Sequence, residues 1–526
     1  MFTIDGVSIM AKSTNVWADW ALHFTQTSQF VHRSLIPGDH PLLEGASYAY
    51  PFGVNWITAI FVRLGVEFFQ AHIFLSYLLS ILLVVILIVF LYRILDRKGS
   101  AVVAGLIFFL NGGLGFVLVG AERLNLLLPA SNFLGELTLL PSVGIRWINV
   151  ITSMIVPQRA FTLGFPVGML VLLIVVQQIK KNASSWSFGR FLVAGLIAGT
   201  LPILHMHSYL AIGVVFGWYT IWSLIRNRSS KKRLKKGVLS WLLVLIPAVL
   251  VPLPFFLNQY ANTIEKTTQG SFIQWYPGWF TNAGSEYPEM SIIWFWLINW
   301  GVVIPLAIVG FFLARPVQRG LLIPFFLLFV LSNLFLFQPF VWDNTKILVW
   351  ASVGLSIASA IPIWNLLNQP RFHVRAIGGL LLLIAILSGA HDAGRLIRPD
   401  QPRFGMYNSN DLVLARELRE RSEPNETIIT APLHNNPFIN FSGRNILLGY
   451  KGWLWTYGLD YSEVQKDMMQ ILAGGDKAEA LIEKYNVKFV IIDPSLQLEW
   501  KTNTLYFEER FPVEHRDQFR VIYRLK

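Results

Sequence analysis

Ten long apolar runs constrain what this chain can fold into. They lie at about 72–95, 101–120, 161–179, 190–206, 208–225, 238–257, 292–314, 320–337, 347–368 and 376–391. Most reach the ~20 residues a helix needs to cross a bilayer core. The runs at 101–120 and 190–206 are the shortest and are Gly-rich. Hydrophobic residues make up 54% of the 526 and charged residues 14%, where soluble domains carry roughly a quarter charged. The predicted fold class is a polytopic α-helical membrane protein of about ten spanning helices.

The loops orient this arrangement. If the first run passes from outside to inside, the inside loops are Arg97-Lys98, Lys180-Lys181, Arg226 to Lys236, Arg315 to Arg319 and Arg371 to Arg375. All are basic, and Asp96 is the one acid among them. The outside segments are 1–71, 121–160, the turn at 207, 258–291, 338–346 and everything after 391, and they hold nearly all the acids. This is the positive-inside pattern, and it predicts a multi-pass protein of the plasma (inner) membrane. The formal charge of +12 is then topology, and it implies no nucleic-acid partner, whose site would gather Lys and Arg on a soluble domain. With no cysteine, a disulfide framework, a thiolate zinc site and a Cys nucleophile are excluded. Residues 1–34 contain Asp5, Lys12, Asp19 and His23 and no apolar core, unlike a cleavable signal peptide. An outside N-terminus leaves room for one further spanning helix ahead of it, or for a short tail translocated by the first run.

Three regions follow. Residues 1–71 form a first external loop, with interfacial helices expected at 16–33 and 48–69, amphipathic but too polar to span. Residues 72–394 form the transmembrane domain. Residues 395–526 become charged, with apolar runs of strand length. There Asp411 to Ser422, Tyr461–Leu472 and Asp476–Tyr485 read as helices, and Thr427–Ala431, Asn445–Leu448 and Lys488–Ile492 as buried strands. Alternating strands and helices predict a small α/β domain with a partly parallel sheet, extracytoplasmic by the loop charges.

The chemistry-bearing residues gather in the outside segments. Asp19 and His23 are four apart on one helical face, where a carboxylate can take a proton from an attacking hydroxyl; a helix-start Asp with an i,i+4 partner is the structural alternative. Glu44, in Asp39-His40-Pro41-Leu42-Leu43-Glu44, is a second candidate carboxylate, ahead of the aromatic stretch Tyr48 to Gly53. Arg159 and Lys346 open two apolar runs, at headgroup depth, where fixed cations bind phosphate or simply snorkel. His205 and His207 flank a tight outside turn, with metal or phosphate contact and helix capping as competing roles. Trp453, Trp455 and Tyr457 offer aromatic faces in the last region.

An external loop carrying an early acid, followed by many spans and an external C-terminal domain, resembles the GT-C superfamily of membrane glycosyltransferases. That group includes protein O-mannosyltransferases, aminoarabinose transferases and oligosaccharyltransferases. Asp19 in Asp19-Trp20-Ala21-Leu22-His23 matches the family's catalytic Asp. His40 to Gly45, Tyr50 to Gly53, Asn111 to Phe116, Pro157-Gln158-Arg159 and Gly449 to Trp455 look like segments of prokaryotic multi-pass proteins of this type. The resemblance implies transfer of a sugar, with inversion, from a polyprenyl-phosphate or -diphosphate donor to a glycan, lipid or protein acceptor. Asp19 would be the base, with His23 and Glu44 beside it. Arg159, Lys346, His205 and His207 would hold the donor phosphate, and Trp453, Trp455 and Tyr457 the acceptor. No cofactor is required. Many relatives pair a second acid with the Asp, whereas Trp20 follows Asp19 here, so dependence on a divalent metal stays open. The rival readings are a lipid or polysaccharide transporter, for which an internal repeat and polar groups within spans are expected, and a non-catalytic assembly protein.

Overall fold

The computed structural model describes residues 2–4, 8–35, 38–48, 51–119, 135–181, 183–257, 273–398 and 403–525. It is mostly helical and divides into two compact units. One comprises Met1–Leu75, Phe255–Gly270 and Pro402–Lys526; the other comprises Ser76–Pro254 and Ser271–Gln401.

In the second unit, the apolar runs fold as helices. Among the described residues, seven are long and apolar enough to cross a membrane: Phe68–Leu95 (whose first residues belong to the other unit), Arg159–Ile179, Met206–Asn227, Lys231–Leu257, Pro316–Leu334, Val341–Leu367 and Phe372–Arg395. The run at 292–314 is not one straight span. It is a helix pair, Ile292–Trp300 and Val303–Leu313, bent by 90°. Gly301 sits at the break with φ +57, and its N–H bonds back to Leu297 O, a C-terminal stop that suits glycine because it has no Cβ. The two short runs yield shorter helices, Lys98–Leu110 and Phe188–Leu204.

The first of these stops early because of the segment Asn111-Gly112-Gly113-Leu114-Gly115. Gly113 has φ +67, and a Cβ there would lie 2.2 Å from Ile298 O; at Gly115 a Cβ would lie 1.8 Å from Leu137 O. These glycines let the backbone press onto neighbouring backbone. Buried side chains satisfy the polar groups this leaves. Asn299 Oδ1 accepts from Arg146 N (2.7 Å) and Trp147 N (2.8 Å), and its Nδ2 donates to Gly144 O (2.9 Å). Asp392 accepts from Leu137 N and Thr138 N, both at 2.8 Å. Irregular backbone buried within the protein requires internal partners of this kind. At the other end of the helices, Asp96 bonds to Lys180 (2.7 Å) and Arg315 (2.5 Å), tying together three of the basic loops.

The first unit joins the two ends of the chain. Ser8–Ala11 pairs antiparallel with both Phe2–Ile4 and Phe404–Asn408. A five-stranded sheet runs in the order Asn445–Ile446, Thr427–Ile429, Val487–Ile492, Val521–Arg524, Val513–Arg516. Its first three strands are parallel and the last two antiparallel. The helix Ser409–Glu420 starts at a capping box, Asn408 with Asp411, which satisfies two otherwise orphaned N–H groups. The helix Thr14–His32 packs against Ser8–Ala11, Phe404–Asn408 and the helix Gly53–Arg63, and these two helices lie close to the segments expected at 16–33 and 48–69.

Candidate functional site

The first unit holds the carboxylates and the aromatic residues. Ser13 caps the helix Thr14–His32 through Val16 N, and Asp19 lies half-buried in its second turn. His23 on the same helix is buried, and its Nδ1 meets Asn55 on the helix Gly53–Arg63 at 3.1–3.2 Å. Asn55 also donates to Gln26. Two residues before Asp19, Trp17 donates from Nε1 to Gly405 O (2.9 Å) and packs edge-on against His434, with centroids 4.0 Å apart.

His434 links this helix to the Gly449–Trp455 segment. Its ring lies 5.5 Å from Tyr450 and 6.4 Å from Trp453. Burial holds its pKa below the usual imidazole value. Sequence reasoning missed His434, a lone histidine in a loop; the fold alone brings it to the start of the helix bearing Asp19. Trp453 therefore joins an aromatic cluster at that end of the helix. Tyr457 turns instead toward His40, 6.0 Å away. Trp455 follows Trp453 on the short helix Lys451–Thr456 and is half-buried.

The segment with Glu44 is held against the same region by backbone pairing. Gly449 N donates to Leu42 O (2.7 Å), Glu44 N donates to Leu447 O (3.2 Å), and Leu43 bridges Leu448. The Glu44 carboxylate accepts from Thr427 Oγ1 at 3.4 Å. Burial first, and then the negative charge of Asp39, push its pKa up. His40 is fully enclosed, which lowers its pKa to about 3, and its Nδ1 accepts from Leu42 N.

The second unit holds the basic residues. His205 caps the helix Met206–Asn227, accepting from Ser208 N at 3.2 Å and sharing a 2.8 Å bond with Ser208 Oγ. Among the described residues its buried Nε2 has no hydrogen-bond partner. His207 is buried with its ring 5.4 Å from that of His205. Lys346 lies within electrostatic range of both rings and forms a 2.9 Å ion pair with Asp343. The structure thus brings His205, His207 and Lys346 together. Arg159, entered through the π turn Ile151–Ile155, is 1% exposed and donates from Nε to Ser76 Oγ at 3.1 Å. Among the described residues, no three His, Asp or Glu side chains gather closely enough to hold a metal ion.

No family model matches the sequence, and no curated protein matches it. Solved structures do match by fold. The oligosaccharyltransferase of Archaeoglobus fulgidus in the apo form superposes with TM-score 0.53 at 11% identity, over 94% of this chain and 69% of that one. The archaeal oligosaccharyltransferase AglB from the same organism, in complex with an inhibitory peptide and a dolichol-phosphate, gives 0.52 at 13%, over 92% and 66%. The arabinofuranosyltransferase AftD from Mycobacteria gives 0.53 at 13%, over 98% of this chain and 40% of that one. The chain thus spans about two thirds of the archaeal proteins and well under half of the mycobacterial one. At these identities the likeness shows the fold alone: the chain shares the fold of the archaeal oligosaccharyltransferase and mycobacterial arabinofuranosyltransferase structures.

Proposed function

We propose that this chain transfers a sugar from a polyprenyl-phosphate or -diphosphate donor to an acceptor hydroxyl or amine at the outer face of the membrane. The carrying observation is that Asp19 shares one end of one helix with an aromatic cluster, Trp17, His434, Tyr450 and Trp453. We read a carboxylate and an aromatic cluster at the same end of one helix as a base and an acceptor platform. The GT-C fold supports the reading, and the AglB structure in complex with dolichol-phosphate motivates the donor class.

In the proposed reaction Asp19 takes the proton from the acceptor, contributing about 10²–10⁴-fold. The acceptor atom attacks the anomeric carbon from the face opposite the leaving group, so the configuration inverts. The polyprenyl phosphate leaves with the electron pair of the broken glycosidic bond. Lys346 and Arg159, with His205 and His207 as hydrogen-bonding partners, would hold that phosphate and stabilise its charge. His23 acts through Asn55 and Gln26 to fix the helix, whereas Glu44, electrostatically coupled to Asp39 and Arg33, belongs to the opposite end of the helix and takes no part in the proton transfer. In this reading the C-terminal α/β region and residues 1–71 lie outside, and the chain makes ten passes when the bent pair and the two short helices are counted as spans. The test is Asp19→Asn, assayed for transfer from polyprenyl-phosphate sugars with membrane insertion checked in parallel. Transfer should fall by at least about a hundredfold; retained turnover removes Asp19 from the role.

A further inference from the structure

The first unit also contains a cavity of about 430 Å³ that the transfer reading does not use. It is lined by Gln29, Arg33, Ser34, Gly38 and Asp39, with Phe30 and Tyr48 as its apolar residues. Arg33 lies 14 residues after Asp19, which is roughly 21 Å along the helix axis at 1.5 Å per residue. The cavity is therefore separate from the Asp19 end of the helix.

Its polar groups are fixed by the fold. Arg33 closes the helix Thr14–His32 as its C-cap residue, and its Nη1 donates to Gln29 Oε1 and to Asn445 Oδ1. Gln29 in turn donates to Arg444 O (2.8 Å). Both bonds run from Nη1, which anchors one edge of the guanidinium, and Nη2 lies on the Asp39 side. There Nη2 faces Asp39 across 3.6 Å, too far for a direct hydrogen bond. Asp39 is the exposed partner, 61% against 17% for the Arg33 side chain.

An anion approaching this mouth meets the Asp39 carboxylate first, and Arg33 is already matched in charge. A phosphate is disfavoured on both counts. A pair of adjacent hydroxyls suits the site: one donates to the Asp39 carboxylate, and its neighbour accepts from the guanidinium. The loosely paired ions are then bridged without adding charge, and the CH groups of the ligand lie toward the apolar residues Phe30 and Tyr48. The volume falls in the range of about 300–1,000 Å³ typical of small-ligand sites. We propose that this cavity binds a neutral sugar residue of a glycan through a vicinal diol. The proposal goes beyond the transfer reading and does not depend on Asp19 being a base.

The experiment uses the full chain in nanodiscs and measures binding by saturation-transfer NMR and calorimetry. The probes are methyl α-D-mannopyranoside, methyl β-D-galactopyranoside, inorganic phosphate and phosphatidylglycerol vesicles. The neutral glycosides should bind in the millimolar range. Gly38→Leu fills the cavity, because a Cβ at this position has no atom within 4 Å and no strained φ. It should weaken glycoside binding by at least about tenfold, as should Asp39→Asn, which removes a charged hydrogen-bond acceptor. Asp19→Asn should bind glycosides as wild type does, whatever it does to transfer. The proposal fails if glycosides do not bind, if Asp39→Asn binds them undiminished, or if only phosphate or the glycerol headgroup binds. Asp39 is exposed, so that variant folds and keeps the test decisive even if Gly38→Leu does not.

Discussion

Asn299→Ala probes how the second unit tolerates irregular backbone among its helices. The Asn299 side chain accepts from two backbone N–H groups, Arg146 and Trp147, and donates to Gly144 O and Phe295 O. Phe295 O already lies within the helix Ile292–Trp300, so its loss of a second donor matters little. Truncation leaves the Trp147 N–H and the Gly144 C=O without those partners, and the half-buried Arg146 N–H partly rescued by water. A buried polar group stripped of its partner costs about 1–3 kcal/mol. Two such groups at a middling value give a loss of about 3–4 kcal/mol. At roughly 2 °C per kcal/mol for a large chain, the thermal midpoint should drop by about 6–8 °C. Tryptophan fluorescence melting in detergent measures this. Hydrogen exchange should quicken over residues 140–149 and stay unchanged at the basic-loop end. A drop smaller than about 1 kcal/mol, the value of an ordinary solvated hydrogen bond, or undisturbed exchange at Trp147, would refute the reasoning.

Asp96→Asn should cost only about 1 kcal/mol, because its partners Lys180 and Arg315 meet it at a partly exposed site; the φ of +60 is one that Asn accepts. That loss should shrink in high salt when melting curves are compared at two ionic strengths. Acid should weaken the first unit. His32 and His40 both titrate near 3 in the folded chain, His32 through burial and then the charges of Arg419, Arg444 and Arg63, and His40 through burial. Their unfolded values lie near 6.5, so the unfolded chain binds more protons between these limits. Stability is therefore full above about pH 6.5 and falls as pH drops toward 3. His40→Asn, which keeps an acceptor for Leu42 N, should flatten that slope in melts taken from pH 7.5 to 4.5, and an unchanged slope removes His40 as a cause.

The sequence determined the helices and much of the last region because these depend on neighbours within a few residues. Apolar stretches such as 347–368 and the strand pattern of Lys488–Ile492 encode which side chains are buried, and the structure has a helix at Thr345–Leu367 and a strand at Val487–Ile492. The bend at Gly301 was not legible, since Gly-Val within an apolar run looks the same in a straight helix as in a broken one. The Asn111 to Phe116 segment stood out as a motif, but its reason lay in the backbone oxygens of Ile298 and Leu137, which only the fold brings within 2.2 Å of a Cβ. The pairing of Ser8–Ala11 with Phe404–Asn408 was equally hidden, along with the strands Val513–Arg516 and Val521–Arg524, whose alternation is short and mixed with charges. Of the candidate site, Asp19, Glu44, Trp453, His205, His207 and Lys346 were visible as residue types in the outside segments. Tertiary structure alone decided that His434 stands between Trp17 and Trp453, and that Arg33 and Asp39 face each other across a cavity. Periodicity records whether a position is buried, whereas a hydrogen-bond or ring partner hundreds of residues away leaves no local mark in the chain.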